Sequence, residues 1–187
     1  HGDPVHDPVY AKAVELDVPI AIHPSFEPFR LRGQRFEDQH RMSLLASVSA
    51  ANGVREAFTT FFQFATFDRF PKLKLIILES GAGWIGYWLD RLDGVVTSTY
   101  IGGRAPLKHK PSEYFRRQVW ISADPDEHTI PALLDLYGTD RFFWASDYPH
   151  PDHTGDYLAE LEHMVDAMPV AARPRILGDN ARAAFGI

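Results

Sequence analysis

The sequence predicts an α/β fold built on a parallel sheet, because strand-like and helix-like segments alternate along the chain. Four short apolar segments, rich in β-branched and aromatic residues, are expected to be strands at 18–22, 73–78, 118–123 and 141–145. A segment with helical periodicity accompanies each of them, and this alternation is typical of parallel βα units. No internal repeat or low-complexity tract interrupts the pattern, so we expect a single domain over residues 1–187.

Apolar residues at helical spacing support the first two predicted helices. The helix ahead of the first strand is expected to begin at Asp7, with Pro8 in its first turn. The apolar positions of this helix are Val9, Ala13 and Leu16. The corresponding positions after the second strand are Trp84, Trp88, Leu92 and Val95 or Val96. Each series would bury one face of its helix.

The last two predicted helices have recognisable ends. Asp126 is a candidate N-cap for the helix after the third strand, and Gly138 would end that helix. Pro131 is compatible only with its first turn. Its apolar positions are Ile130, Leu133, Leu134 and Tyr137. The helix after the fourth strand would end at Met168-Pro169, and its apolar positions are Leu158, Leu161 and Val165.

A helical insertion at about residues 34–69 separates the first two strands and is too long for a simple crossover. It contains a crowd of aromatic residues, namely Phe58, Phe61, Phe62, Phe64 and Phe67. The main interpretation is a helical hairpin that covers the outer face of the fold or an oligomer interface. The alternative is a substrate lid.

Composition excludes several classes of function. The chain has 19 Lys and Arg against 25 Asp and Glu, a net charge of −6, and the basic residues are scattered, which disfavours a nucleic-acid partner. No apolar run is long enough to span a membrane. Without cysteine there is no disulfide or thiolate metal site, so a metal would need His, Asp or Glu. A reducing cytoplasm fits this composition, and the start at His1 suggests an interior piece of a longer polypeptide.

Polar side chains follow the predicted strands at the point where each strand ends. His23, Glu79 and Asp147 come directly after the first, second and fourth strands, and Ser122 lies near the end of the third. The carboxyl ends of parallel strands meet at one edge, so these side chains could share a pocket. Imidazole and carboxylate ligands suit Zn²⁺, and with more oxygen donors Mn²⁺ or Mg²⁺. Asp147 could also accept a proton from a metal-bound water.

Each of these candidates has a structural alternative. His23 could hydrogen-bond the next loop, Glu79 could cap a helix or pair with an Arg, and Asp147 could be a turn or N-cap residue. His150 lies in the loop after Asp147 and could contact the substrate or support the site. His153, in the same loop, is a weaker candidate.

Four segments resemble the amidohydrolase superfamily. They are AIHP at 21–24, FPKLKLIILESGAGW at 70–84, WASDYPHPD at 144–152 and ILGDNARAAFGI at 176–187. The resemblance is closer to the amidohydrolase 2 branch, which includes aminocarboxymuconate-semialdehyde decarboxylase and resorcylate decarboxylase. It implies a metal-dependent (β/α)₈ TIM barrel in which His23 is the strand-five metal ligand and Asp147 the strand-eight metal ligand, with Zn the first choice of metal.

The sequence departs from this family pattern in two places. Glu79 stands where the family commonly has a His after strand six, so its role as catalytic acid or base is a candidate only. The strand-one metal ligands, a His or Glu followed two residues later by His, have no counterpart. The chain therefore resembles the C-terminal half of the barrel, strands five to eight. A half barrel would leave open sheet edges, so we expect the missing N-terminal half to pair with it.

The resemblance also suggests partners. In this branch an Arg on the helix after strand six reaches a substrate carboxylate, from a neighbouring subunit in some members, and Arg91 lies close to that position. The alternative for Arg91 is an ion pair near Asp90 or Asp93. The expected partners are thus a small-molecule substrate, which would be carboxylated if Arg91 has this role, and further copies of the chain in a homo-oligomer.

Three functions remain open from the sequence. The first is hydrolysis of a small organic substrate by metal-activated water. The second is non-oxidative decarboxylation of an aromatic or dienoic acid at the same metal. The third is a metal-free, non-catalytic homologue, against which the retention of both His23 and Asp147 argues.

Overall fold

The computed structural model describes residues 1–24, 48–49, 51–98, 107–148 and 156–187. Its helices are α1 (Asp7–Glu15), α2 (Ala51–Gln63), α3 (Thr66–Arg69), α4 (Ile85–Val96), α5 (Pro111–Gln118), α6 (Ile130–Tyr137), α7 (Tyr157–Asp166) and α8 (Asn180–Phe185). Its strands are β1 (Ile20–Ile22), β2 (Leu75–Ile77), β3 (Val119–Ala123) and β4 (Phe142–Trp144). Short 3₁₀ turns at Pro4–His6 and Val170–Ala172 and a π-helical turn at Arg175–Asp179 complete the described elements.

The four strands form one parallel sheet in the order β1-β2-β3-β4. Ala21 pairs with Ile76, and Ile76 in turn with Trp120. Ile121 pairs with Phe142, which fixes the register of the last two strands. All four predicted strands and the parallel α/β class are confirmed, although each strand is shorter than predicted because ladder pairing stops before the apolar run does.

The two central strands, β2 and β3, are buried on both faces, whereas Ala21 of β1 is exposed. On one face the strand residues join the main core with the surrounding helices, and they include Ile22, Leu75, Ile77, Val119, Ile121, Ala123 and Phe142. On the other face Ile76, Trp120 and Phe143 pack together with Ala184 of α8. Burial on both sides explains why the strands read as continuous apolar runs with no polar alternation.

The structure corrects the predicted buried faces of α1 and α7. In α1, Val9 and Leu16 are exposed, and Tyr10 is buried beside Ala13. The Tyr10 ring packs against Phe61 and Phe70 with ring centroids 5.6 and 5.9 Å away. An aromatic ring buries more apolar surface than a valine, so it sets the orientation of the helix. In α7, Leu161 is buried as expected and Val165 is partly buried against the core. Leu158 is exposed, and Met164 takes its place on the buried face.

The helices after β2 and β3 are also present, with different boundaries. All four predicted apolar residues of α6 are buried, Pro131 lies in its first turn, and Gly138 follows its last residue. Its N-cap is Thr129, so the predicted cap at Asp126 is wrong. In α4 the fully buried residues are Ile85, Gly86 and Leu89, while the predicted series Trp84, Trp88 and Leu92 packs at the margin of the core.

The described part of the predicted helical insertion, residues 51–69, forms α2 and α3. Four of its phenylalanines are buried in the main core, namely Phe58, Phe61, Phe62 and Phe67. Phe64 is partly exposed. Phe67 stacks on Tyr114 of α5, with ring centroids 5.7 Å apart. The described part of the segment thus packs into the main core beside the sheet. Residues 34–47 and 50 of the predicted insertion lie outside the described residues.

Tyr137 joins α6 to α4 through its hydroxyl group, which donates to the carbonyl of Gly86 at 3.2 Å and to a carboxylate oxygen of Asp90 at 2.9 Å. Burial and the hydrogen bond to Asp90 raise the pKa of Tyr137 to about 12. In the unfolded chain the same hydroxyl ionises near pH 10. Its contribution to stability is therefore complete below pH 10 and is lost as the pH rises towards 12.

We expect Tyr137→Phe to lower the free energy of unfolding by about 1 kcal/mol at pH 7, because one buried hydrogen-bonding group is removed. The variant should also lose less stability than the wild type between pH 10 and 12. Urea unfolding across this range measures both effects. Tyr87→Phe, at an exposed position of α4, is the matched control and should be neutral. An equal alkaline loss in the wild type and in Tyr137→Phe would contradict the assignment.

Candidate active site at the carboxyl edge of the sheet

Three candidate residues follow the strands at one edge of the sheet. His23 comes one residue after β1, Glu79 two residues after β2, and Asp147 three residues after β4. Ser122 lies within β3 and is almost fully buried. Because the strands are parallel, their carboxyl ends share one edge. The predicted convergence on one edge is thus present, and the side-chain contacts decide which residues meet.

His23 and Glu79 are in direct contact. The Nε2 atom of the His23 ring pairs with Oε2 of Glu79, and its Nδ1 atom pairs with the carbonyl oxygen of Pro24. Each of the two ring nitrogens of His23 therefore faces an oxygen atom. The predicted contact of His23 with the next loop is therefore present, and the His23 ring also contacts Glu79. The His23 side chain is 52% exposed, so the pair opens to solvent.

Glu79 and Asp147 share an unusual backbone conformation. Their φ angles are 51° and 50°, in the left-handed region that residues with a Cβ rarely adopt. Such a conformation costs on the order of 1–3 kcal/mol and persists only where the surroundings hold it. At Glu79 one such restraint is visible, because its backbone N–H donates to Oγ of Ser122 at 3.2 Å. Two acids at one edge are thus both held in a strained turn.

Neither acid is the N-cap of a helix in the described ranges. The N-cap position of the helix after Glu79, α4, is Trp84, and that of α7 is Asp156. The prediction that Glu79 could cap the helix near Trp84 is therefore wrong. Asp147 lies in the turn that leaves β4, and the N–H of the next residue, Tyr148, donates to Oγ of Ser146 at 3.3 Å.

The turn after β2 is held by a residue that the sequence analysis missed, Glu127. Its carboxylate accepts hydrogen bonds from the backbone N–H groups of Ala82 and Gly83 at 2.8 and 2.7 Å, and from Asp124 at 3.0 Å. Burial raises the pKa of the Glu127 carboxyl group, and the three backbone donors oppose part of that rise. This carboxylate joins the loop after β2 to the loop after β3. No sequence pattern links residues 45 positions apart in this way.

The side chains of His23, Glu79 and Asp147 are of the types that bind divalent ions, but too few of them lie together to form a complete site. Imidazole nitrogen and carboxylate oxygen suit such an ion, and His23 lies beside Glu79. In a flat sheet, β1 and β4 would be about 14 Å apart, so Asp147 could join the pair only where the sheet curls. Within the ranges that the structure describes, no three such side chains form a metal-binding group. The edge therefore supplies part of a ligand set.

The proposed substrate contacts of Arg91 and His150 remain predictions. Arg91 lies on the exposed side of α4, and no ion pair joins it to another described residue. The acids on either side have other partners, since Asp90 accepts from Tyr137 and Asp93 accepts from Ser112 at 2.6 Å. His150 lies outside the described residues.

None of the helices in the described ranges has the length and apolar character that crossing a bilayer requires.

Comparison with known proteins points to one family. The family model for Amidohydrolase matches residues 1–187. A curated relative, Decarboxylase orsB of Emericella nidulans, is 28% identical over 166 residues, which cover 84% of this chain and 49% of the relative. The crystal structure of 5-carboxyvanillate decarboxylase from Sphingomonas paucimobilis is 26% identical with a TM-score of 0.75, covering 100% of this chain and 54% of that one.

A third comparison shows the fold alone. An amidohydrolase from Mycobacterium avium subsp. paratuberculosis K-10 has a TM-score of 0.81 at 24% identity, covering 100% of this chain and 46% of that one. The chain thus spans about half the length of the curated and solved proteins that it matches.

Proposed function

Since this chain belongs to the amidohydrolase family, we propose that it forms part of the active site of a metal-dependent, non-oxidative decarboxylase of aromatic carboxylic acids. The observation that carries the proposal is the contact between His23 and Glu79 at the carboxyl edge of the sheet, the edge that also holds Asp147. In barrel enzymes the active site lies at the carboxyl ends of the strands, and this is the edge where the paired imidazole and carboxylate lie.

The sequence analysis put hydrolysis first, whereas the relatives favour decarboxylation. Both of the relatives described above at more than 25% identity are decarboxylases, one curated and one solved. They support the second function considered above and give the hydrolytic one no comparable support. The same relatives argue against a non-catalytic role for this chain.

The proposed metal would be held by His23 and Asp147, with Glu79 holding the His23 ring. When bound, it would supply positive charge that orients an anionic substrate. Two decarboxylases of similar fold, from Polaromonas at 21% identity and Novosphingobium at 22%, have crystal structures with bound manganese. They support Mn²⁺ as the first metal to test, in place of the expected Zn²⁺. Carboxylate-rich ligand sets also suit Mn²⁺ better than Zn²⁺.

The residues of this chain have separate tasks in the proposed reaction. The bond between the ring carbon and the carboxylate breaks, CO₂ leaves, and the electron pair stays on the ring carbon, which then takes a proton. We assign that proton to the carboxyl group of Asp147, which lies at the same edge of the sheet as His23 and Glu79. Glu79 in turn fixes the orientation of the imidazole. In this assignment Glu79 orients a ligand and does not replace the family's usual histidine as an acid.

The rest of the site belongs to the same proposal. We propose that the four strands correspond to strands five to eight of a (β/α)₈ barrel, and that the other half supplies the remaining metal ligands. The exposed position of Arg91 on α4 fits a contact with the substrate carboxylate of a neighbouring subunit in a homo-oligomer. His150 is a further proposed substrate contact.

The test uses the intact native protein that contains this chain, loaded with Mn²⁺. It is incubated with hydroxylated benzoic acids, including 5-carboxyvanillate and 2,6-dihydroxybenzoate, each labelled with ¹³C at the carboxyl carbon. We expect release of labelled CO₂ and one new ring proton per turnover, detected by mass spectrometry and by deuterium incorporation from D₂O. Turnover of an ester or lactone panel without CO₂ release would instead establish hydrolysis. Absence of metal binding and of any turnover would favour the non-catalytic homologue.

A further inference from the structure

Among the described residues, the hydrogen-bond partners of the Glu127 carboxylate are backbone groups. Its oxygens accept from Ala82 and Gly83 in the loop after β2 and from Asp124 in the loop after β3. Consecutive backbone N–H groups that converge on one carboxylate form an anion-binding turn. Here the anion belongs to the protein itself. The side chain therefore acts as a clamp between two loops at the carboxyl edge.

The sequence of the clamped loop suits this arrangement. Gly81 has a φ of +62°, which a residue with a Cβ adopts only with strain. A Cβ at Gly83 would lie 2.7 Å from Oγ1 of Thr129 and 3.1 Å from Oε1 of Glu127. The indole N–H of Trp84 donates to the carbonyl of Gly81 at 2.9 Å and closes the turn. Glycine at both positions allows the backbone to approach the carboxylate closely.

The clamp lies next to Glu79 along the chain. The backbone N–H of Glu79 is hydrogen-bonded to Ser122 of β3. Further along the same loop, the N–H groups of Ala82 and Gly83 are hydrogen-bonded to Glu127, which follows β3. Between these two anchors Glu79 adopts its left-handed conformation, and its carboxylate points to His23 on the opposite neighbour, β1. A strained residue needs anchors on both sides of it to keep that conformation.

We propose that Glu127 is a positioning residue that holds the turn after β2 in the conformation in which Glu79 contacts His23. We do not assign it a catalytic role, because its hydrogen bonds with the described residues go to backbone groups. The effect on turnover rests on the proposed function, whereas the effect on the His23 ring does not.

The direct test is NMR of the His23 ring in the intact protein, with the Nε2 resonance assigned by its loss in His23→Gln. In Glu127→Gln an amide NH₂ faces backbone donors, which weakens the clamp without changing the size of the side chain. We expect Glu127→Gln to shift the His23 Nε2 resonance in the same direction as Glu79→Gln. Glu162→Gln, the same change at an exposed position of α7, should leave the resonance in place. A folded Glu127→Gln variant with an unshifted His23 resonance would overturn the proposal.

Kinetics provide a second readout. Misplacing a site residue by about 1 Å lowers the rate by about 10²-fold, so we expect Glu127→Gln to lower kcat by about that factor with a KM change below about 3-fold. A matching fall in activity and folded fraction, with normal kcat per folded molecule, would show a purely structural role. If the wild type does not decarboxylate, the proposed function fails, and the His23 resonance still decides the role of Glu127. If Glu127→Gln does not fold, Glu127→Asp takes its place, with the same two outcomes.

Discussion

Asp147→Asn is expected to lower kcat/KM for decarboxylation by about 10²- to 10⁴-fold, the usual contribution of a positioned acid or base. The substitution keeps the size and shape of the side chain and removes the acidic proton and the negative charge. It is also neutral for the backbone, because Asn tolerates the left-handed conformation that Asp147 adopts at φ 50°. A loss of activity would therefore come from the carboxyl group and not from a rearranged turn.

The measurement is steady-state release of CO₂ by the intact enzyme, together with its content of Mn²⁺ by elemental analysis. Asp135→Asn, at an exposed position of α6, is the matched control and should retain wild-type activity. If metal content and activity fall together, Asp147 is a metal ligand. If activity falls while metal content is kept, Asp147 acts chiefly as the proton donor. Activity within about 3-fold of the wild type would exclude Asp147 from both roles.

The strands and their order were predictable because the determinants are local. Residues 73–78 and 141–145 are apolar runs too short for helices, and their flanking turns fix where they end. The polar residue that follows each run then identifies the edge where a site can form. His23 and Glu79 were candidates on that ground, and the parallel pairing of β1 with β2 brings them into contact.

Features that depend on distant residues were not predictable. The Glu127 clamp joins loops that are 45 positions apart, and the left-handed conformation of Glu79 has no signal of its own, since glycine is the residue expected there. The buried face of α1 depends on where Tyr10 finds Phe61 and Phe70, so the spacing of its valines and leucines misled the prediction.

One missed helix had a local signal that could have been used. In α5 only Tyr114 and Phe115 offer an apolar face, so hydrophobic periodicity is weak. Its start is marked instead by Pro111 in the first turn and by Glu113, whose carboxylate accepts from the backbone N–H of Lys110 at 2.8 Å. Pro followed by an acid is a common beginning of a helix. Capping patterns thus carry information where periodicity fails.

Asn180 anchors β4, the strand that leads to Asp147. Its side-chain amide donates to the carbonyl of Thr139 at 2.6 Å and to that of Phe142 at 2.7 Å, and the residue is only 4% exposed. These two carbonyls lie at the start of β4, so α8 is joined to the strand through one NH₂ group. Only a double donor of this size can satisfy both carbonyl oxygens.

We therefore expect Asn180→Asp to lower the free energy of unfolding by about 3–5 kcal/mol at pH 7, because a buried charge would face two carbonyl oxygens without a partner. Burial in this place would raise the pKa of the introduced carboxyl group, so the deficit should shrink as the pH falls and that group becomes protonated. Urea unfolding at pH 7 and at pH 5 measures both effects. Asn52→Asp, the same change at an exposed position of α2, should stay within about 0.5 kcal/mol of the wild type. A deficit that does not shrink at the lower pH would show that packing of α8, and not the two hydrogen bonds, holds β4 in place.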